Sequence, residues 1–173
     1  EDCRRMGFKI LPPDVNRSEA VFTIEGRAAI RFGLGAVKGI SFDKCVAVVK
    51  ARQTKPFTDW VDFFERVPHA EAGQNVAETL LYAGAFDSFG YKRSQLLAVA
   101  KDAFKHGKRK QADVQSGQMS LLDLIDEPEE QMVVPDIPEL SDAELSAQEK
   151  KAIGCYVTRH PLLDSRSQWG MSR

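Results

Sequence analysis

Apolar and polar residues follow two different spacings, which separate a short β-type segment from a mainly helical remainder. The stretch AVFTIEGRAAIRFGL, residues 20–34, places β-branched and aromatic residues on both sides of Glu25-Gly26, which predicts a β-hairpin. Just before it, ILPPDVN carries two consecutive prolines. This part is therefore predicted to be an extended connection, not a helix or a central strand.

Beyond residue 40 the apolar residues recur at helical intervals. The first predicted helix begins at Ser41, a favourable N-cap residue, and buries a stripe formed by Phe42, Val46 and Val49, with Cys45 as a further candidate. Pro56 ends this helix, and Thr58 is predicted to cap the next. That second helix supplies an aromatic core of Trp60, Phe63 and Phe64.

Three further helices are predicted. One ends at Gly84, and another runs from near Tyr91 to His106. The last runs from about Asp142 to Val157, where Ser141 and Glu144 form a capping box. The predicted fold is therefore mainly α, and its divisions are a β-hairpin region (1–32), a tandem helix-hairpin-helix four-helix unit (33–106), a flexible linker (107–141) and a C-terminal helix (142–173).

Two glycine-containing turns define the predicted tandem unit. Lys38-Gly39-Ile40-Ser41 opens the first helix, and LLYAGAFDSFG connects two later ones. Glycine allows the backbone to approach a phosphate, and the unpaired amides of the following helix favour its negative charge. The sequence therefore predicts contact with a DNA backbone, independent of base sequence. The predicted contact residues are Lys38, Gly39, Ile40, Ser41, Gly84, Lys92 and Arg93.

Charge is unevenly distributed although the formal net charge is −1. Residues 92–110 carry seven basic side chains and one acidic side chain, whereas residues 123–149 contain no lysine or arginine. This indicates a basic surface beside an acidic linker. The three cysteines form no C-x-x-C pair and the three histidines are scattered. We therefore expect neither a disulfide framework nor a metal site, and we expect a cytoplasmic location. No apolar run is long enough to cross a membrane.

Several of these strings together resemble the C-family of bacterial replicative DNA polymerases, the DNA polymerase III α subunits. They are LPPDVN, LGAVKG, AGAFDS, GQMSLLDL and SAQEKKAIGCYVTRHPL, which follow the family's order over nearly the whole chain. The resemblance implies a piece of a longer polymerase that grips duplex DNA and meets other replicase subunits through the parent chain. The parent would use Mg²⁺, but the resemblance places its catalytic aspartates upstream, so this segment is expected to be inactive and to hold no cofactor.

The linker also contains a peptide that resembles the sliding-clamp-binding motif of that family. Its residues are Gln118, Met119, Ser120, Leu121 and Leu122. A glutamine amide can be anchored by hydrogen bonds while the adjacent apolar side chains fill a pocket. The resemblance thus implies the β sliding clamp as a second partner.

Two other interpretations remain open from the sequence. The glycine turns also suit a helix-hairpin-helix module of a repair enzyme or ligase, and the near-zero net charge suits a helical scaffold that binds only proteins. The departures from the usual patterns are Ser41 in place of a second glycine, and Gln74-Asn75-Val76 where the family tends to be basic.

Overall fold

The computed structural model describes residues 6–71, 73–116, 133–155 and 157. The predicted clamp-binding peptide, residues 118–122, lies outside this part of the chain. The elements found in the described part are the strands β1 (Lys9–Leu11), β2 (Thr23–Glu25) and β3 (Ala29–Arg31), and the helices α1 (Phe42–Arg52), α2 (Trp60–Arg66), α3 (Gln74–Tyr82), α4 (Arg93–Ser116) and α5 (Asp142–Ile153). The predicted mainly α fold with an N-terminal β-hairpin is confirmed.

The small sheet contains one strand more than the predicted hairpin. β2 and β3 pair antiparallel across the turn at Gly26. β1, predicted as an unpaired connection, pairs parallel to β3, which gives the order β1-β3-β2. Arg31, on the central strand β3, holds the outer strand β2 and the segment after β1 in place. Its buried guanidinium binds Glu25 of β2 and donates to the Pro12 carbonyl oxygen.

The hydrophobic core is centred on aromatic rings from α2 and from the second glycine turn. Trp60, Phe63 and Phe64 are each no more than 2% exposed, which confirms the predicted aromatic core. The ring of Phe86 packs edge-on against both Trp60 and Phe63, with centroid separations of 4.5 and 5.0 Å. The second glycine turn is therefore fixed from inside by its own apolar residue.

The buried face of α1 differs from the predicted stripe. Cys45, Ala47 and Val48 are buried, whereas Phe42 and Val46 are 55% and 42% exposed. Two residues of the predicted stripe are thus exposed, whereas the candidate Cys45 is buried and Val49 packs against the core. The reason is that α1 packs its Cys45–Val48 side on the core, and Phe42 instead covers the outside of the turn at Gly35.

Helix ends also differ in detail. Asp59, not Thr58, caps α2, because its carboxylate accepts from the amides of Val61 and Asp62. The predicted capping box of α5 is present. This helix ends at Ile153, earlier than the predicted Val157, because Gly154 adopts φ +88° and terminates it; Cys155 lies exposed beyond this end.

The fourth helix passes ten residues beyond the predicted start of the linker. α4 continues through Gly107 to Ser116. A Cβ at Gly107 would lie 2.5 Å from the Phe64 carbonyl oxygen, so glycine here allows α4 and α2 to approach closely. Gly107, taken from the sequence as the start of a linker, is thus a helix-packing position.

Candidate nucleic-acid interface

The first glycine turn links β3 to α1 through a short 3₁₀ turn, Leu34–Ala36. Gly39 adopts φ +84°, a conformation that residues with a Cβ rarely reach. Ile40 is 8% exposed and anchors the turn in the core, whereas Lys38, Gly39 and Ser41 are exposed. The sequence-predicted residues of this turn are therefore brought together at the surface.

The N-terminus of α1 presents open backbone amides. Ser41 occupies the N-cap position, but its side chain accepts no hydrogen bond from the first turn. In the described part of the chain, no carboxylate or hydroxyl accepts from the amides of Phe42, Asp43 or Lys44. Unpaired amides at the positive end of a helix dipole favour an anion. The Asp43 carboxylate is exposed in the same turn and is flanked in sequence by Lys44.

The same turn is held against the end of α5. The backbone amide of Lys38 donates to the Ala152 carbonyl oxygen at 2.7 Å. A Cβ at Gly154 would lie 3.0 Å from both Cε and Nζ of Lys38, so the lysine stem crosses the C-terminus of α5. This helix therefore fixes the orientation of the first turn, a role that the sequence did not indicate.

The second glycine turn is occupied by the protein's own side chains. The Arg93 guanidinium is 7% exposed and binds Asp87 through two hydrogen bonds of 2.9 and 2.6 Å. Gly84 has φ +82°, and a Cβ there would lie 2.4 Å from Nη2 of Arg93. The expectation that Gly84 and Arg93 face DNA is thus corrected, because Gly84 makes room for this internal ion pair.

The electrostatics of Arg93 agree with an internal role. Burial by itself would lower the pKa of Arg93. The hydrogen bonds and charge of Asp87, with the charges of Glu149 and Glu139, outweigh burial and raise the pKa above its ordinary value. The guanidinium is therefore charged and compensated inside the protein.

The N-terminus of α4 is closed by Glu139. Its carboxylate accepts from the backbone amides of Arg93 and Ser94 at 2.8 and 3.0 Å. Gln95 adds a hydrogen bond to the Pro135 carbonyl oxygen, which holds residues 135–140 along the helix end. The anion position of the second hairpin is therefore filled by a carboxylate from a segment that was predicted to be a linker.

Lys92 is the most accessible predicted contact of the second turn. Its Nζ lies 3.3 Å from Asp136, which is 95% exposed, and it also donates to the Ile137 carbonyl oxygen. An ion pair this exposed contributes little to stability. Lys92 can therefore leave Asp136 for another anion at small cost.

Comparison with known proteins places this pair of turns in a defined family. A family model for the helix-hairpin-helix motif matches residues 7–96, just over half of the chain. This chain belongs to the helix-hairpin-helix family. Both glycine turns, Lys38–Ser41 before α1 and Gly84–Gly90 between α3 and α4, lie within the matched residues.

The relatives named here are DNA polymerase III α subunits, which are much longer than this chain. The chain is 36% identical to DNA polymerase III subunit alpha of Neisseria meningitidis over 162 residues, covering 93% of this chain and 14% of the relative. For the Bacillus subtilis protein of the same name the values are 36%, 96% and 15%. For the Treponema pallidum protein they are 37%, 98% and 14%. The chain therefore spans about one seventh of the relatives that it matches.

Neither a metal centre nor a membrane span is found in the described part of this helix-hairpin-helix protein. No cluster of three or more histidine, cysteine, aspartate or glutamate side chains there could hold a metal ion. Within the same residues, no helix combines the length and hydropathy needed to cross a membrane.

Glu139 should make stability depend on pH in a defined direction. Burial raises the pKa of Glu139, but hydrogen bonds from the amides of Ser94, Leu140 and Arg93 outweigh burial and lower it below 4.5. The stabilisation is therefore present above the unfolded-state pKa and is lost as the pH falls through the lower folded-state pKa. We expect Glu139→Gln to cost about 1 kcal/mol at neutral pH.

Urea unfolding at a series of pH values checks this expectation. The difference between the wild type and Glu139→Gln should shrink as the pH falls below 4.5, the ordinary pKa of glutamate. A difference that stays constant down to acid pH would show that the charge of Glu139 does not cap α4. Asp136→Asn serves as the matched control, because the Asp136 carboxylate lies in the same segment but is 95% exposed and pairs only with the Lys92 ammonium.

Proposed function

We propose that this chain is the helix-hairpin-helix segment of a bacterial DNA polymerase III α subunit and binds duplex DNA through its backbone. The single observation that carries the proposal is the open N-terminus of α1 beside exposed Lys38 and Gly39. The family match and the polymerase relatives support it. Contacts of this kind use phosphates and therefore do not select a base sequence.

The two hairpins contribute unequally in this proposal. The first hairpin supplies the amides of α1 and the Lys38 ammonium to a phosphate, and Ile40 fixes the turn from inside. The second hairpin supplies Lys92, whose partner Asp136 is solvent-exposed. Gly84 and Arg93 stabilise the second turn. The Arg93 guanidinium fills the space beside Gly84 and binds the Asp87 carboxylate.

The tethering role proposed from the sequence is kept as part of the same function. Residues 118–122, with the sequence QMSLL, would bind the β sliding clamp and keep the polymerase on its template. The flanking tract carries acidic residues, which would keep this segment away from DNA. Other replicase subunits would be reached through the longer parent chain in the cytoplasm.

Nucleotidyl transfer is assigned to the rest of the parent polymerase. The described residues do not fit the Mg²⁺ that such an enzyme uses, since they contain no cluster of acidic or histidine side chains able to hold a metal ion. No catalytic step is therefore derived for this chain. Its contribution is to hold the product or template duplex.

Replacing Ser41 by aspartate tests the amide contact without disturbing the fold. Aspartate is a favourable N-cap residue, so its carboxylate should close the first turn of α1, as Glu139 closes α4. We expect stability to be unchanged or raised by about 0.5 kcal/mol. Affinity for a fluorescent DNA duplex should fall at least about tenfold, because a carboxylate then occupies the phosphate position.

Ser41→Asn is the matched control, because asparagine caps the helix without adding a charge. Its DNA affinity should stay closer to that of the wild type. If Ser41→Asp binds the duplex as tightly as Ser41→Asn, the first hairpin is not the phosphate site. Lys38→Gln should also lower the slope of log affinity against log salt by about 0.9, whereas Lys50→Gln at the other end of α1 should not.

A further inference from the structure

The outer face of α4 is a basic surface that neither hairpin turn uses. Lys101, Lys105, Lys108 and Arg109 are all exposed on this helix. At 3.6 residues per turn and 1.5 Å per residue, they lie within an arc of about 100° and along about 12 Å of the axis. These four residues form what is called here the α4 basic stripe.

The charges of the α4 basic stripe are not neutralised by the described part of the protein. None of its four side chains makes an ion pair there. Lys110, on the opposite side of the same helix, differs, because its Nζ lies 2.9 Å from Glu65 of α2. The acidic side chain nearest the stripe on α4 is Asp102, at its edge.

We propose that the α4 basic stripe is a second contact surface for the DNA phosphodiester backbone. This inference rests on the proposed function and adds a site to it. The N-terminus of α4, where a second helix-hairpin-helix turn would bind a phosphate, is closed by Glu139. The second hairpin therefore contributes Lys92 and the side of its outgoing helix, and not the backbone amides at the start of that helix.

Nucleic acid fits the α4 basic stripe better than an acidic peptide does. The arc is continued at its two ends along the helix by the alanines Ala98 and Ala112, both exposed. The stripe thus offers no pocket for the apolar anchors by which peptides are recognised. One DNA strand carries a charge about every 3.4 Å along the axis, so about 12 Å of helix faces three to four phosphates.

The test combines three neutralising substitutions in the 173-residue chain: Lys101→Gln, Lys105→Gln and Lys108→Gln. Binding to a fluorescent duplex is measured by anisotropy between about 50 and 200 mM salt. We expect the triple variant to lose affinity about tenfold or more at the low-salt end. The magnitude of its salt slope, the slope of log affinity against log salt, should fall by about 2 to 3. Lys110→Gln removes the same charge from the same helix and should change neither quantity appreciably.

The outcomes separate this inference from the function on which it rests. If the triple variant keeps the wild-type slope of log affinity against log salt, the α4 basic stripe does not contact DNA. If Ser41→Asp still weakens binding in that case, the contact at the first hairpin stands. A loss in the triple variant with no effect of Ser41→Asp supports the stripe and contradicts the hairpin contact. If poly-glutamate binds the wild type as tightly as the duplex does at equal charge, the partner of the α4 basic stripe is an acidic peptide and not a nucleic acid.

Discussion

Replacing Phe86 by alanine is expected to lower the free energy of unfolding by about 4 kcal/mol. The Phe86 ring is 1% exposed and packs edge-on against Trp60 and Phe63. Removing it deletes the apolar residue that fixes the second turn and leaves a cavity that the surrounding helices cannot fully close. Urea unfolding followed by tryptophan fluorescence measures the change, because Trp60 is in contact with the cavity.

Phe89→Ala is the matched control for this prediction. Phe89 lies three residues further along the same turn, is only partly buried, and has its ring centroid 5.7 Å from that of Phe86. Its loss should cost clearly less than the loss of Phe86. Equal costs for the two variants would show that the turn is not anchored through Phe86.

Arg93→Met is expected to cost about 3 kcal/mol of stability. The substitution keeps most of the side-chain volume but removes both hydrogen bonds to Asp87 and the bond to the Tyr82 carbonyl oxygen. The Asp87 carboxylate then loses its partner, but it is 45% exposed and can be hydrated, which places the cost at the lower end of the range for such pairs. The midpoint of urea unfolding gives the measured value.

Lys92→Met provides the comparison on the neighbouring residue. Its ion pair with Asp136 is exposed, so stability should change by less than about 0.5 kcal/mol. Under conditions where both variants are folded, Lys92→Met should weaken DNA binding and Arg93→Met should not. The reverse result would mean that the Arg93 guanidinium leaves Asp87 to reach DNA.

The sequence predicted the elements of this fold well where local signals act alone. The capping box at Ser141 is a local pattern, and it appears as expected. The aromatic spacing of Trp60, Phe63 and Phe64 likewise indicates one buried helical face. Such features depend on neighbouring residues, and the sequence displays these directly.

Features that depend on distant contacts could not be predicted in the same way. Phe42 and Val46 were expected in the core, but the tertiary position of α1 turns them outward. Gly107 was taken as the start of a linker, whereas it permits close packing of α4 on the backbone of Phe64. In both cases a partner far along the chain decides the outcome.

The candidate site shows the same division. The exposure of the first turn and the burial of Ile40 agree with the motif. Glu139 was not identified, because its partners Arg93 and Ser94 are about 45 residues away. The available signals were an acidic residue shortly before Ser141 and an arginine at a helix start. Neither signal states that the two residues meet.

The two glycine turns are not equivalent as phosphate sites. One helix N-terminus, that of α1, is open, and the other, that of α4, is closed by a carboxylate. Both turns nevertheless share a positive-φ glycine and a buried apolar residue. A match to the motif therefore does not establish that a given turn can accept a phosphate.

A titration of the ¹⁵N-labelled chain with duplex DNA, followed by amide chemical shifts, tests this claim most directly. We expect large shifts for the amides of Phe42, Asp43 and Lys44, and small shifts for those of Arg93 and Ser94. Large shifts at Arg93 and Ser94 with none at the start of α1 would contradict it.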